Sequence, residues 1–317
     1  MRARRVVTLA LVLLTAIGLG ARAARAADVI RVGFIPVSSN LPLWCGMDTG
    51  AFAAEGVEIQ PTVIGRGSRM VEAMVGGSLD MGMIATLTLI QAAERGLDVA
   101  LIAPAGTVGP GPQTSTALVS RKASGIGAVA QLRGKIIGVN QLGNHNYMVV
   151  AETLSRAGIG KDQVTWQEID FPHMVAALEQ GRIDAANLPE PYLTTLRDAG
   201  WAAELATQEQ VAAGLSIAAY AVLRPWYDAH RPLVERFQRG IARGLEACQR
   251  DPVRMRDILA RATRLPPDTA RRIGLAQLRP TFTRSELDHL MELARRHRLI
   301  DRGLAADRLV APGGFAP

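Results

Sequence analysis

The hydrophobic pattern changes period along the chain and does so in a repeating order. Short β-branched and aromatic runs predict strands at Val29–Ile35, Val57–Ile64, Met81–Ile84 and Val99–Ala103. Between them lie helical stretches: Pro42 to about Gly50, a helix with apolar Met70, Val71, Met74 and Val75 on one face, and one opened by Thr86 and stopped at Gly96. The order then returns. Strands are predicted at Lys135–Asn140, Val164–Ile169 and Asp184–Leu188, with helices ending near Gly158 and at Gly181. One stretch makes the repetition concrete: Met70-Val71-x-Ala73-Met74-x-x-Gly77-x-Leu79-Asp80 aligns without a gap on Met174-Val175-x-Ala177-Leu178-x-x-Gly181-x-Ile183-Asp184. Two further strand-like runs, Thr116–Ser120 and Ile217–Leu223, suggest that the chain crosses twice between two units. From Pro225 onward it reads helical, with one long helix to about Arg250, a break at Asp251-Pro252 and a helix over Thr283–Arg298.

Strands alternating with helices imply parallel sheets covered on both faces. The expected architecture is therefore α/β with two lobes, each a doubly wound, mostly parallel sheet, joined by a two-segment hinge. Lobe I is drawn over 27–118 and 221–317, and lobe II over 119–220.

The first residues bear on compartment. Arg2, Arg4 and Arg5 precede an apolar run from Val6 to Leu19, too short for the hydrocarbon core of a membrane, and an alanine-rich tail follows. This reads as a signal peptide over 1–26, cleaved after Ala26, and therefore as a periplasmic protein. Its five arginines face no acid, so removing it takes the formal net charge from +7 to +2. A near-balanced mature chain gives no support for nucleic acid as a partner. The two cysteines, Cys45 and Cys248, are read as small buried hydrophobes, with a bridge as the lesser alternative.

Ligands of open parallel sheets sit beyond the C-terminal strand ends, where helix N-termini offer unpaired N–H groups. That rule selects Ser38, Ser39, Asn40, Gly65, Arg66, Gly67, Ser68, Ala85 and Thr86 in the first unit. In the second it selects Gly143, Asn144, His145, Asn146, Asp170, Phe171, Glu190 and Tyr192. Hydroxyls and amides dominate, which suits a small polar ligand. Arg66 and Arg69 add possible countercharge. Ser68, Thr86 and Asn144 also fit as helix caps, Trp44 as either core or an aromatic platform, and Glu190 as facing cleft or solvent. His145 and His173 lack a third partner for a metal, and neither a Gly-x-Ser-x-Gly elbow nor a phosphate loop occurs. No cofactor, metal or catalytic residue is expected.

Arg31-Val-Gly-Phe-Ile-Pro36, Gly50-Ala-Phe52, Glu55-Gly-Val57, the Gly65–Gly77 turn and helix, Leu79-Asp80-Met-Gly82, Leu132–Val139 and Ala177–Ala185 form an ordered set. Together it resembles the alkanesulfonate, taurine and nitrate branch of the ABC substrate-binding proteins, a branch that includes binders of thiamine pyrimidine precursors. The resemblance implies a type II periplasmic-binding fold, a monomer, and partnership with a membrane permease and a cytoplasmic ATPase. It also implies ligand contact at Ser38–Asn40, Gly65–Ser68 and Gly143–Asn146. A small anion is the first expectation. The alternative is a neutral heterocycle stacked on Trp44 or Tyr192. Same-fold thiamine-pyrimidine synthases need a cysteine-rich motif and a cofactor-binding lysine. Here the cysteines are isolated and Lys122, Lys135 and Lys161 are the only lysines.

Overall fold

The computed structural model describes residues 27–110 and 114–316, so the expected signal peptide lies outside the described residues. Ten strands form two five-stranded sheets. They are β1 (Asp28–Phe34), β2 (Val57–Val63), β3 (Met81–Ala85), β4 (Val99–Thr107), β5 (Thr116–Arg121), β6 (Ile136–Val139), β7 (Thr165–Glu168), β8 (Ala185–Pro189), β9 (Ala202–Thr207) and β10 (Ser216–Leu223). The first seven helices are α1 (Leu41–Asp48), α2 (Ala51–Ala54), α3 (Gly67–Val75), α4 (Thr86–Glu94), α5 (His145–Arg156), α6 (Phe171–Glu179) and α7 (Tyr192–Asp198). They are followed by α8 (Glu209–Ala212), α9 (Arg224–Ala229), α10 (Arg231–Arg250), α11 (Pro252–Thr263), α12 (Pro267–Arg272), α13 (Arg284–Arg296) and α14 (Ala306–Leu309).

The sheets share one plan. Their strand orders are β2-β1-β3-β10-β4 and β7-β6-β8-β5-β9. In each, the central strands pair in parallel, and the strand that has just crossed from the other sheet runs antiparallel in fourth place. The chain thus changes sheet between β4 and β5 and again between β9 and β10. The boundaries expected at 118/119 and 220/221 fall inside β5 and β10, a few residues late. The two crossings are tied together, because Val108 N–H donates to Leu215 O and Gly214 N–H to Val108 O.

The repeated motif has a physical basis in both units. Gly77 and Gly181 take left-handed φ of 72° and 70°, ending α3 and α6. Asp80 and Asp184 then each accept the N–H of the first-strand residue opposite, Arg31 and Ile136, both at 2.8 Å. Gly33 and Gly138 leave space for the same neighbours. A Cβ there would stand 2.5 Å from Leu79 Cδ1 in one unit and 2.8 Å from Ile183 Cδ1 in the other, with Met70 and Met174 next to it.

The long helical region after Pro225 is two helices, since His230 breaks α9 from α10. The helix α10 returns to the first unit and packs on α1 at backbone contact: a Cβ at Gly244 would lie 2.4 Å from Gly46 Cα. That approach corrects the reading of the cysteines. Cys45 and Cys248 form a disulfide across the two helices, with Cα atoms 6.1 Å apart and a sequence separation of 203. Their distance in sequence conceals a neighbourhood that exists only once the C-terminal segment has come back. Among the described residues no helix is long and apolar enough to cross a membrane.

Candidate functional site

A cavity of about 60 Å³ lies between the two sheets at the ends where their parallel strands finish. The antiparallel strands begin where their neighbours end, so they reach it too: Thr116 of β5 pairs with Pro189, and Ala218 of β10 with Ala85. The first unit lines it with Ile35, Val37, Ser38, Ser39, Met83, Ala85, Ile217 and Ala218. The second lines it with Ser115, Thr116, Asn140, Asn144, His145, Asn146, Phe171 and Pro189. None of these side chains is charged.

Seven of the residues selected from the sequence meet here: Ser38, Ser39, Ala85, Asn144, His145, Asn146 and Phe171. The others are employed elsewhere. Asn40 is buried and accepts the Tyr220 hydroxyl at 2.9 Å. Trp44 is core, edge-on to Phe34 with ring centres 6.2 Å apart, and Tyr192 stacks behind Phe171 at 5.6 Å rather than on the cavity. Thr86 does not cap its helix. Ala85 is the cap, and the buried Thr86 hydroxyl pairs with Ser216 at 2.7 Å.

The basic turn faces carboxylates, not the cavity. Arg66 bonds Asp170 at 2.6 Å and also pairs with Glu168, both from the opposite unit. Arg69 is exposed on α3. Gly65 lies under this bridge, since a Cβ there would be 2.7 Å from Asp170 Oδ2. A Cβ at Gly67 would meet Ile84 at 2.9 Å. Ser68 offers its backbone N–H to Gln141 Oε1 at 3.2 Å, and the Gly143 carbonyl accepts from Gln91 at 3.0 Å. These residues bond the two units to each other beside the cavity.

Glu190 faces neither cleft nor solvent. Its carboxylate is fully buried and accepts the Thr194 N–H at 2.9 Å, the Thr194 hydroxyl at 2.7 Å and an Arg197 N–H at 3.3 Å. Burial raises its pKa against those partners. Its carbonyl joins the units instead, accepting the Ser38 N–H at 2.9 Å, while its own N–H donates to Ser115 O within the second unit at 2.8 Å.

The second unit's contribution is an ordered amide network. Asn144 caps α5 by accepting the Tyr147 N–H at 3.1 Å. Asn140 Oδ1 receives the amides of Asn144 at 3.0 Å and Asn146 at 2.8 Å, and Asn187 donates to Asn146 Oδ1 at 3.1 Å. His145 is the first residue of α5, and burial drives its pKa down to about 4. It is therefore neutral at neutral pH. Sequence reasoning missed Ser115 and Thr116 because it searched the loops after strands, whereas these open one, and missed Asn140 because it read β6 one residue too far. The hinge crossing at Thr116 was the available signal.

Two α/β units closing on one shared cavity at their strand ends define a two-lobed fold of the periplasmic-binding type. The chain belongs to the NMT1/THI5-like family, whose model matches residues 39–255. A Brucella abortus protein with the provisional description of a binding protein is 26% identical over 170 residues, 53% of this chain and 50% of its own length. The chain thus spans about half the length of the curated relatives it matches. Among solved structures it is similar to the alkanesulfonate-binding protein SsuA from Xanthomonas axonopodis pv. citri bound to MOPS. That match has a TM-score of 0.75 and 21% identity, covering 90% of this chain and 99% of that one. The desulfurization enzyme DSZB shares the fold with a TM-score of 0.66 and 16% identity, over 90% of this chain and 96% of its own.

Proposed function

We propose that this chain is the exported, solute-capturing component of an ABC importer, which takes a small polar molecule between its two lobes and presents it to a membrane permease. The observation that carries the reading is the shared cavity: serines from one lobe and asparagines from the other face a single uncharged space. Ser38, Ser39, Ser115, Thr116, Asn140, Asn144, His145 and Asn146 are the proposed contacts. Small anions of the sulfonate, taurine or nitrate kind remain the first class to try, held by hydroxyls, amides and helix N-termini without a cationic side chain. The uncharged wall and the Phe171 ring favour a neutral ring as the second class. Chemical turnover has little to work with, because both cysteines are spent in the disulfide and His145 is too weak a base at neutral pH.

The test is a melting screen of the protein with taurine, alkanesulfonates, nitrate and small aromatic acids and amides. A true ligand at a hundred times its Kd stabilises by about 2.7 kcal/mol. A flat response to every compound would count against solute capture.

A further inference from the structure

Between α12 and α13 the chain runs without helix through Ile273-Gly-Leu-Ala-Gln-Leu-Arg279, and its small residues lie where backbone meets backbone. Gly274 is pressed against the first crossing between the sheets. A Cβ there would stand 1.8 Å from Thr114 O, which no side chain can do. Three residues on, Gln277 pairs with Thr107, the last residue of β4. The Gln277 N–H donates to Thr107 O at 2.9 Å, and the Thr107 N–H to Gln277 O at 3.0 Å. The segment therefore accompanies the crossing from its exit at β4 to its arrival before β5.

Its two ends are anchored to different lobes. Upstream, α12 leans on the second lobe, where Arg272 bonds Asp198 of α7 at 2.6 Å and the Gly274 N–H faces the buried Glu190 carboxylate. Downstream, Arg279 pairs with Glu286 of α13. The Thr107 hydroxyl joins that pair, donating to Glu286 at 3.0 Å and accepting from Arg279 at 3.3 Å. Thr107 and Glu286 are each only 1% exposed, so this first-lobe anchor is shut off from water, where such bonds are strongest. The segment also backs the cavity. A Cβ at Gly106 would lie 3.2 Å from both Ala276 Cβ and Ser39 Cβ, so the segment and the cavity-lining serines meet across a single glycine of β4.

Two crossings alone form a hinge, which absorbs domain motion in a few backbone angles. A third connection that grips both lobes has to strain, or release one anchor, when they part. We propose that residues 273–279 form a strap that limits how far the lobes separate, and that this keeps the Ser38–Ser39 side of the cavity in position for an incoming solute. The inference rests on the solute-capture reading above and adds the element that sets the amplitude of closure. Its test uses no solute, so the two can fail separately.

The measurement is the distance between lobes in the full protein, read by double electron–electron resonance. No cysteine is free among the described residues. Spin labels therefore go on Thr62→Cys in β2 and Thr165→Cys in β7, exposed positions on the sheet edges furthest from the crossings. Asp198→Ala frees α12 from the second lobe by removing its bonds to Arg272 and Thr269, away from both crossing and cavity. It is expected to raise the ratio of parted to closed lobes roughly threefold. Gly274→Ala drives a methyl group against Thr114 and displaces the strap itself, with roughly a tenfold rise expected. Asp198→Ala decides the matter, and as a surface change it stays readable if Gly274→Ala fails to melt cooperatively. A shift to longer distances in Asp198→Ala supports the strap. The distances of the labelled parent overturn it even where Gly274→Ala differs, because crowding at Thr114 would bend the crossing directly; solute capture is left standing.

Discussion

The two lobes have the same strand plan but opposite histories in the chain. The second is written continuously from β5 to β9 and has no covalent tie. The first is cut in two: β10 and the helices from α9 onward reach it only after the whole second lobe has intervened. Its late-arriving α10 is held to α1 by the Cys45–Cys248 bond and by glycine-on-glycine backbone contact. Continuity needs no staple here, whereas a lobe assembled from distant segments has one. The difference is one of loop-closure entropy, which a cross-link removes from the unfolded chain.

The largest effect should therefore come from removing the staple. Cys45→Ala with Cys248→Ala is expected to lower stability by about 4 kcal/mol, read as a fall in the denaturant midpoint. Trp44 and Trp226 lie in the first lobe and Trp166 and Trp201 in the second, so variants retaining one pair can show which lobe yields first. The first lobe should yield first after this substitution; simultaneous loss of both signals would contradict the staple's local role.

Acid should act on the second lobe through one buried imidazole. His145, in the second lobe, has its pKa depressed from 6.5 to about 4 by burial. Between those values the unfolded chain binds a proton that the native chain refuses, so stability falls as pH falls through this window. The loss is about 3 kcal/mol at 1.36 kcal/mol per unit. The first lobe's buried Glu286 goes the other way. Burial raises its pKa despite Arg279 and Thr107, so protonation on acidification favours the folded form. His145→Phe is thus expected to flatten that limb, read through Trp166 and Trp201 of the same lobe.

A matched pair of substitutions tests how alike the repeats are. Gly33→Ala and Gly138→Ala each push a methyl onto the equivalent aliphatic residue, at 2.5 and 2.8 Å before relaxation. Each should cost about 2 kcal/mol, with the first somewhat more damaging. Unequal effects in the reverse order would mean that the second lobe is packed more rigidly than the first. The smallest effect belongs to the rim. Arg66→Gln removes the bridge to Glu168 and Asp170 and should change stability by less than about 1 kcal/mol. Its readout is the radius of gyration, which should rise slightly as the lobes part more often.

Much of this was legible in residue order because the signals were local. Gly77-x-Leu79-Asp80 and Gly181-x-Ile183-Asp184 encode a helix stop and a strand start within a few residues, and both occur where expected. The edge strand β9, Ala202–Thr207, escaped notice because Ala-Ala-Glu-Leu-Ala-Thr has almost no β-branched content and is half exposed. The disulfide was hidden by a separation of 203 residues. Arg66 was offered to an anion because nothing in the sequence ties it to Glu168 and Asp170, about a hundred positions away. Asn140 was read as the end of a strand, and only the folded structure places it in the cavity wall, bonded to Asn144 and Asn146.

The place of β10 between β3 and β4 sets a timetable for biogenesis. While ribosomes are still working on the last third of the chain, β4 has no hydrogen-bonding neighbour to join, and the earlier half-sheet must wait with one flank unfinished. The later-coded sheet has all five of its members by Thr207 and can close at once. A released, truncated chain ending at Leu215 should accordingly protect the amides of β6 and β8 from exchange while those of β4 remain open.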